Sequence, residues 1–285
     1  VRFFCIEDDL PPETPRLLRA ACLRRHIAYV AVDAATVDLT RLSPLVSGDI
    51  VFRPATSERA IAVEQHLYRH DVGSVFTALE GPSFACREPL LLYERSGLPI
   101  AKTLPGVSAD RDHLRAVVDA LGGLPVVVKF PGLSGGRGVL RVESLAGLFS
   151  LMDLAEARGD VPDLCAFVAD AVHWRLVVVG DRVVSAYKNV NDADDFRSSA
   201  DDDPANYRVQ PTAEMIDIAV LATQLNGVSF AGVDILQDAR GQLFLLEANS
   251  PCYFATAELA VGTDVSGAIV DHLVAVARQR AQVRT

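Results

Sequence analysis

The sequence predicts a mixed α/β protein, and three observations carry that prediction. Apolar, β-branched segments alternate with a helical pattern near the N-terminus, which is the signature of a parallel sheet covered by helices. Further along, two apolar hairpins follow one another, one turning at Gly180-Asp181 and one near Arg240-Gly241. Half of the 285 residues are hydrophobic and 22% are charged, so the chain can build a sizeable core and is not a disordered segment.

The elements follow in order. "RFFCIE" (Arg2–Glu7) is a buried strand, and "PETPRLLRAACLRRH" (Pro12–His26) a helix with proline in its first turn. "IAYVAVD" (Ile27–Asp33) and "DIVFRP" (Asp49–Pro54) give two more strands. "SGLPIAKT" (Ser96–Thr103) reads as a boundary, where a helix ends at Gly97 and a short extended segment begins. "SADRDHLRAVVDALGG" (Ser108–Gly123) is a helix capped by Ser108 and closed by two glycines. "VVVKFPGLSGGRGVLRV" (Val126–Val142) forms two strands joined by a glycine loop, and a helix covers about Ser144 to Ala157. "HWRLVVVGDRVVSAYKNV" (His173–Val190) is a hairpin, Asn191–Asn206 a polar segment, and "PTAEMIDIAVLATQLNG" (Pro211–Gly227) a glycine-capped helix. A second hairpin spans Phe230–Pro251, and a helix from about Asp264 to Arg280 closes the chain.

Charge and cysteine usage narrow the function. A net charge of −10 argues against nucleic acid or an anionic membrane as partner, while leaving room for a local cation cluster that meets a phosphorylated ligand. No basic apolar leader and no 18-residue apolar run is evident, so a cytoplasmic protein is expected. Five cysteines (Cys5, Cys22, Cys86, Cys165, Cys252) without CxxC spacing read as reduced thiols, not as a zinc site.

Lys129 ends an apolar strand, where a cation is costly to bury unless an anion meets it. The loop that follows holds Gly132, Ser134, Gly135, Gly136 and Gly138, whose backbone N–H groups can approach an anion closely. A Walker-type loop ends in Gly-Lys-Ser/Thr and enters a helix; here "VLRV" follows, which is strand. The loop is expected to cover a phosphate as a strand-to-strand flap; a flexible hairpin with an exposed lysine is the plainer alternative.

The second hairpin ends in "LFLLEANSP". Glu247 follows a continuously apolar run, and Asn249 points the same way because strand side chains repeat every two residues. Asp234 sits in "FAGVDIL" on the facing strand. A loop of even length puts Asp234 on the face of Glu247; an odd loop or a bulge separates them. Two carboxylates and an amide on one half-buried face suit Mg²⁺, held by one or two carboxylates plus substrate phosphates. An acidic hairpin end in solvent is the alternative.

With these residues assembled, the chain resembles the ATP-grasp superfamily, in particular its RimK-like branch of carboxylate–amine ligases. The matching residues are Lys102 in "PIAKT", Lys129, Arg175 in "HWRLVVVGDRVV", Arg197 in "DDFRSS", Asp234, Glu247 and Asn249. The resemblance covers roughly Asp49 to Val276, with its motifs in the family's order. It implies an ATP-grasp fold of three parts: an N-terminal α/β domain (1–97), a central lid (98–165) and a C-terminal antiparallel-sheet part (166–285). It implies ATP contacted by Lys102, Lys129 and the 132–138 loop with Ser134, Gly135 and Gly136, and an adenine hinge at Ala166, Phe167 and Val168. Asp234, Glu247 and Asn249 would hold Mg²⁺, with Mn²⁺ as the other candidate ion, and Arg197 with Arg175 would stabilise the acyl phosphate. The substrates would be a small-molecule or peptide carboxylate and an amine, and a homo-oligomer is compatible with the family.

Several positions depart from the family's pattern. Cys165-Ala166 stands where the hinge usually offers Gln-Glu, which leaves ribose contact to Asp170. His173 and Trp174 precede the hairpin arginine where an acid is usual, and Ser199 replaces the usual Asn. "CREPL" and "SPCYF" also differ from the common segments. His173 is expected to be structural, with general base as the alternative, and Asp201–Asp203 to be a solvated loop. A kinase on the same scaffold and a non-catalytic nucleotide-binding module are the competing functions.

Overall fold

The N-terminal strands are apolar on both faces because both faces are covered. The structure, a computed structural model, describes residues 1–39, 41–42, 44–78, 81, 89–130, 136–191, 194–201 and 203–282. Strands β1 (Arg2–Glu7), β2 (Ala28–Asp33) and β3 (Ile50–Phe52) form a parallel sheet of order β2-β1-β3. Helix α1 (Glu13–Arg24) makes the crossover from β1 to β2. Phe3 and Cys5 face α1, whereas Phe4 and Ile6 face α2 (Glu58–Leu67), packing on its Ala60, Val63 and Leu67.

After α3 (Pro89–Arg95) the chain builds a second sheet from β4 (Thr103–Leu104), β5 (Val126–Lys129), β6 (Val139–Val142) and β7 (Asp163–Ala166). Its order is β4-β7-β5-β6 and every pairing is antiparallel. Because β5 pairs directly with β6, the glycine segment does join strand to strand. Residues 131–135 of that segment, with Ser134 and Gly135, lie outside the described residues. Helices α4 (Arg111–Ala120) and α5 (Leu145–Arg158) cover the sheet through Leu114, Val117, Val118, Leu148 and Met152. Ser144 caps α5 by accepting from the Gly147 N–H at 3.1 Å. The expected cap Ser108 is not the cap of α4; Asp110 accepts from the His113 N–H at 2.8 Å. A carboxylate three residues before that amide satisfies the orphan donor and complements the helix dipole.

The third sheet comprises β8 (Val172–Val179), β9 (Arg182–Asn191), β10 (Ser198–Ser199), β11 (Phe230–Gln237) and β12 (Leu243–Asn249), in the order β10-β9-β8-β11-β12. The short helix α6 (Pro204–Tyr207) and the long α7 (Ala213–Leu225) lie between β10 and β11 in the chain. Trp174, Leu176, Val178, Val233 and Ile235 on one face pack against Met215, Ile218 and Ala222 of α7. On the other face, Val177, Val179 and Phe230 share a core with α8 (Ala255–Val261), α9 (Val265–Gln282), Phe3 and Phe52. That core joins the parallel sheet to the five-stranded one. Gly73 lets α9 lie against it, since a Cβ there would stand 2.7 Å from the Leu273 carbonyl oxygen.

Asp201 and Asp203 reach solvent and are also tied into the short helix that follows. Asp203 caps α6 through the Ala205 N–H at 2.9 Å, and the Asp201 carboxylate accepts from Asn206 Nδ2 at 3.0 and 3.1 Å. Tyr207 donates to the Asp201 carbonyl at 2.6 Å and sets its ring 4.9 Å from that of Tyr187. Side chains that bond to backbone two residues on are what short acidic segments offer a turn.

Leu273 is fully buried where α9 meets both sheets. Replacing it with alanine should remove about 2–5 kcal/mol of stability, because the neighbouring elements cannot collapse onto the void. Urea denaturation followed by tryptophan fluorescence and far-UV circular dichroism should show the midpoint falling in both signals.

Candidate functional site

Two irregularities in the β11–β12 hairpin decide where its carboxylates point. The pair Gln237–Leu243 closes on a five-residue turn, 238–242, which taken alone would set Asp234 opposite Leu246. Leu246 is instead left unpaired as a bulge, so the register passes from Ile235–Leu245 to Asp234–Glu247. The odd loop and the bulge cancel, and Asp234 directly faces Glu247. On its other side Asp234 pairs with Arg175 of β8, which pairs in turn with Tyr187 of β9. Tyr187, Arg175, Asp234 and Glu247 therefore form one row across four strands, on one face of the sheet.

Asp234 is buried, at 2% exposure, and two donors from β8 converge on one of its oxygens. Arg175 Nε donates to Oδ1 at 2.7 Å, and His173 Nε2 to the same atom at 2.9 Å. Burial alone would raise the Asp234 pKa; the Arg175 charge and the His173 hydrogen bond more than reverse it, and the group is held below the usual carboxylate range. Room for the guanidinium comes from Gly232, where a Cβ would stand 2.4 Å from Arg175 Nη1 and 2.7 Å from Cys252 Cβ. Glu247 sits at the rim with its side chain reaching solvent, and Asn249 Nδ2 donates to its Oε1 at 2.6 Å. The Glu247 pKa is raised, first by desolvation among the sheet atoms and then by the Asp234 carboxylate, with which it is in hydrogen-bonding reach.

This donor set is oxygen-only. Among the described residues no group of three or more His, Cys, Asp and Glu is arranged to hold a metal, so any cation here would have two carboxylates at most from the protein. Two like charges within hydrogen-bonding reach, one already pushed towards its neutral form, fit a hard divalent cation whose remaining ligands come from the substrate.

Both ring nitrogens of His173 are engaged by neighbouring side chains. Besides Asp234, its ring meets Ser198 Oγ at Nδ1, and Asn189 Nδ2 approaches the same nitrogen at 3.4 Å. Next to Ser198, Arg197 is half-exposed and gripped by Asp195, with Nε 3.0 Å from Oδ1 and Nη2 2.6 Å from Oδ2. That pairing holds Asp195 down at about 2. Arg197 Nη1 also donates to the Gly136 carbonyl at 2.9 Å, bridging the β9–β10 connection to the end of the glycine segment.

The chain leaves the four-stranded sheet at Ala166 and enters the five-stranded one at Val172. A cleft of about 580 Å³ opens at this crossing. Lys102, Ala166, Phe167, Val168 and Asp170 all line it. The Ala166 N–H is engaged by the Lys102 carbonyl at 2.9 Å. Lys102 Nζ donates to the Ala120 carbonyl at 2.7 Å. Asp170 takes a left-handed backbone, φ +52°, an unusual conformation for a side chain facing a cleft. Lys129 ends β5 half-buried, opposite Asp163, and is not part of this lining.

Among the further lining residues, Asp238, Arg240 and Phe244, from the β11–β12 turn and its exit, were not singled out as site residues from sequence. The turn itself was legible and could have pointed to the first two. Phe244 could not be found that way, because it lies three positions before Glu247 and only the bulge puts both on one face.

The two carboxylates should answer pH and substitution oppositely. Glu247, with its pKa raised, favours the fold when protonated, and that contribution is lost as pH rises through its folded value. Asp234, with its pKa lowered, favours the fold when ionised, and that contribution is lost as pH falls through its folded value. Glu247→Gln should therefore raise the metal-free thermal midpoint at pH 7, with the gain vanishing below about pH 4, near the ordinary glutamate value. Asp234→Asn should lower the midpoint, because it strips the buried Arg175 of its counter-charge, at a cost of about 3–5 kcal/mol. Differential scanning fluorimetry from about pH 2.5 to 8 in chelator checks both signs.

Comparison with known proteins places the chain. A family model for the RimK-like ATP-grasp domain matches residues 88–273. A probable alpha-L-glutamate ligase of Parasynechococcus marenigrum (strain WH8102) is 30% identical over 205 residues, covering 70% of this chain and 43% of the relative. Another, from Aliivibrio salmonicida (strain LFI1238), is 31% identical over 186 residues, covering 65% of this chain and 60% of the relative. A third, from Xanthomonas campestris pv. campestris (strain B100), is 34% identical over 137 residues, covering 48% and 43%. The matches thus span less than two thirds of these relatives' own length. Among solved structures, the ATP-grasp ligase PsnB complexed with minimal precursor, Mg and ADP superposes with a TM-score of 0.71 at 18% identity, covering 96% of this chain and 97% of that one. The RimK domain protein ATP-grasp from Sphaerobacter thermophilus DSM 20745 gives a TM-score of 0.66 at 20% identity, covering 96% and 100%. These likenesses establish the ATP-grasp fold, with its parallel N-terminal sheet and two antiparallel ones. On the family match across residues 88–273, this chain is a member of the RimK-like ATP-grasp family.

Proposed function

We propose that this chain is an ATP- and Mg²⁺-dependent ligase that joins a carboxylate to an amine, with an amino acid or peptide among its substrates. The observation that carries the proposal is the row Arg175–Asp234–Glu247, with Asn249 beside it, on the sheet whose hairpin turn lines the cleft at the hinge. The glutamate-ligase names of the relatives support an amino-acid substrate.

A carboxylate is a poor electrophile. Its oxygen attacks the γ-phosphorus of ATP, ADP leaves, and the resulting acyl phosphate is open to an amine. The amine nitrogen then bonds to the acyl carbon, inorganic phosphate leaves, and the nitrogen loses a proton as the amide forms. Both steps develop charge on phosphoryl and acyl oxygens, which fixed cations stabilise.

In this proposal Phe167 and Val168 offer backbone groups to the base, Asp170 takes the ribose, and Phe244 forms the apolar floor. Lys102, Lys129 and the 132–138 loop bind phosphate. Asp234, Glu247 and Asn249 hold Mg²⁺, which when bound supplies charge that neutralises the phosphate oxygens. Arg175 orients Asp234. Arg197, shared in this structure between Asp195 and Gly136, exchanges those partners for an anionic reacting group.

A hydroxylamine trap tests the reaction class. With an amino acid or peptide acid, ATP and Mg²⁺, the expected products are a hydroxamate and ADP. A stable phosphoester in place of the hydroxamate, or nucleotide binding with no ADP from any acid, overturns the proposal. Glu247→Gln should lower turnover by about 10²-fold or more, as loss of a charge-stabilising group does; near-normal turnover would remove Glu247 from the metal set.

A further inference from the structure

We propose that His173 is a positioning residue that ties the segment carrying Arg197 to the carboxylate Asp234, so that the two are set in place together. The inference rests on the ligase reading for its kinetic consequence, and on the hydrogen-bond geometry alone for its structural one.

The ring's tautomer follows from its partners. Asp234 Oδ1 already accepts from Arg175 Nε, so it acts as an acceptor towards the ring as well and the Nε2 that meets it carries the proton. In a neutral ring Nδ1 is then an acceptor, which matches the two groups that face it, the Ser198 hydroxyl and the Asn189 amide nitrogen. Donation thus runs one way, from Ser198 to His173 to Asp234, in a half-buried chain where aligned hydrogen bonds reinforce one another. Asp234 Oδ1 is filled by His173 and Arg175 together, which fixes the carboxylate's plane.

The segment at the other end is short, and besides this tie Phe196 sets its ring 6.4 Å from that of Phe167. β10 is two residues long, at the sheet's edge, and among the described residues pairs with β9 alone. Arg197 immediately precedes it, and the carboxylate that grips Arg197, Asp195, belongs to the same short segment. Its remaining bond goes to Gly136, on a different sheet's connection. Among the hydrogen bonds of the described residues, Ser198–His173 is the side-chain link from this segment to the carboxylate row. A shift of Asp234 is therefore transmitted through one rigid ring to the residue next to Arg197.

Two amides that each copy half of the imidazole separate the halves of the link. In His173→Gln the amide nitrogen reaches the position of Nε2 and keeps the bond to Asp234, but loses Ser198. In His173→Asn the amide oxygen stands near Nδ1 and keeps Ser198, but loses Asp234. Hydrogen–deuterium exchange of the nucleotide-free protein should show residues 197–199 protected in wild type and in His173→Asn, and faster in His173→Gln. The Mg²⁺-induced rise in thermal midpoint should show the opposite, kept in His173→Gln and reduced in His173→Asn. In turnover, His173→Ala should lower kcat roughly 10–100-fold, as loss of a group that orients a metal ligand does, with KM for ATP changed much less.

Ser198→Ala closes a double-mutant cycle. It should lower kcat in the wild-type background and add nothing in the His173→Gln background. Independent, multiplying losses, or exchange at 197–199 that His173→Ala leaves unchanged, would overturn the proposal. Should His173→Ala fail to fold by near-UV circular dichroism, the cycle built on Ser198→Ala and His173→Gln decides alone. Absence of ADP release by the wild type would instead defeat the ligase reading, and the exchange measurement would still judge the link.

Discussion

A carboxylate enclosed by a five-stranded sheet is several kcal/mol out of balance unless its charge and its lone pairs are met. Asp234 is that carboxylate, and its surroundings are arranged to meet it. Arg175 supplies the charge from the neighbouring strand and His173 a second donor to the same oxygen. Gly232 gives the guanidinium space, because any side chain there would occupy the volume of Nη1 and of Cys252. Glu247 then adds a second negative group that Arg175 does not directly bond, and its raised pKa records the strain of that addition. The row is compensated on the Arg175 side and left uncompensated on the Glu247 side, which is the side open to solvent.

That asymmetry was only partly legible in the sequence. The residue types, the apolar flanks and the hairpin could all be read, and they brought Asp234 and Glu247 to neighbouring strands. Which face each took depended on parity. The five-residue turn shifts parity once and the Leu246 bulge shifts it back. Leu246 is one of three leucines in "LFLLEAN", so nothing in its type distinguishes the residue that leaves the ladder from those that stay. The bulge also brings Phe244 to the face of Glu247, which joins the cleft to the carboxylates along a single strand. A regular β12 would have turned one of them away.

Elsewhere legibility followed burial. The N-terminal strands were clear because a sheet covered on both faces writes continuous apolar runs, as "RFFCIE" does. Helix caps were less so: Ser108 and Asp110 are both competent, and the choice falls to whichever side chain lies three residues before an orphan amide. At the hinge, backbone groups were expected from Ala166 to Val168, and the Lys102 carbonyl beside β4 engages the Ala166 N–H. Asp201 and Asp203 looked like solvated charge because their partners are backbone amides and an asparagine close by, contacts that composition does not display.

The distribution of cations bears on how an acidic protein could hold a nucleotide. A net charge of −10 repels a polyanion at long range, but that field is screened beyond about 8 Å at physiological salt. Affinity must then come from close contacts, and two of the cations proposed for them are not idle in this structure. Lys102 donates to the Ala120 carbonyl, and Arg197 is shared between Asp195 and Gly136. Each would exchange an internal partner for phosphate, so its net contribution is the difference of two interactions and smaller than either. The like-charge contact lies between Glu247 and Asp234, where a divalent cation would relieve the repulsion as well as meet the phosphate. On this balance the proposed nucleotide is held as a metal complex first, and the protein's own cations act on the charge that the reaction develops.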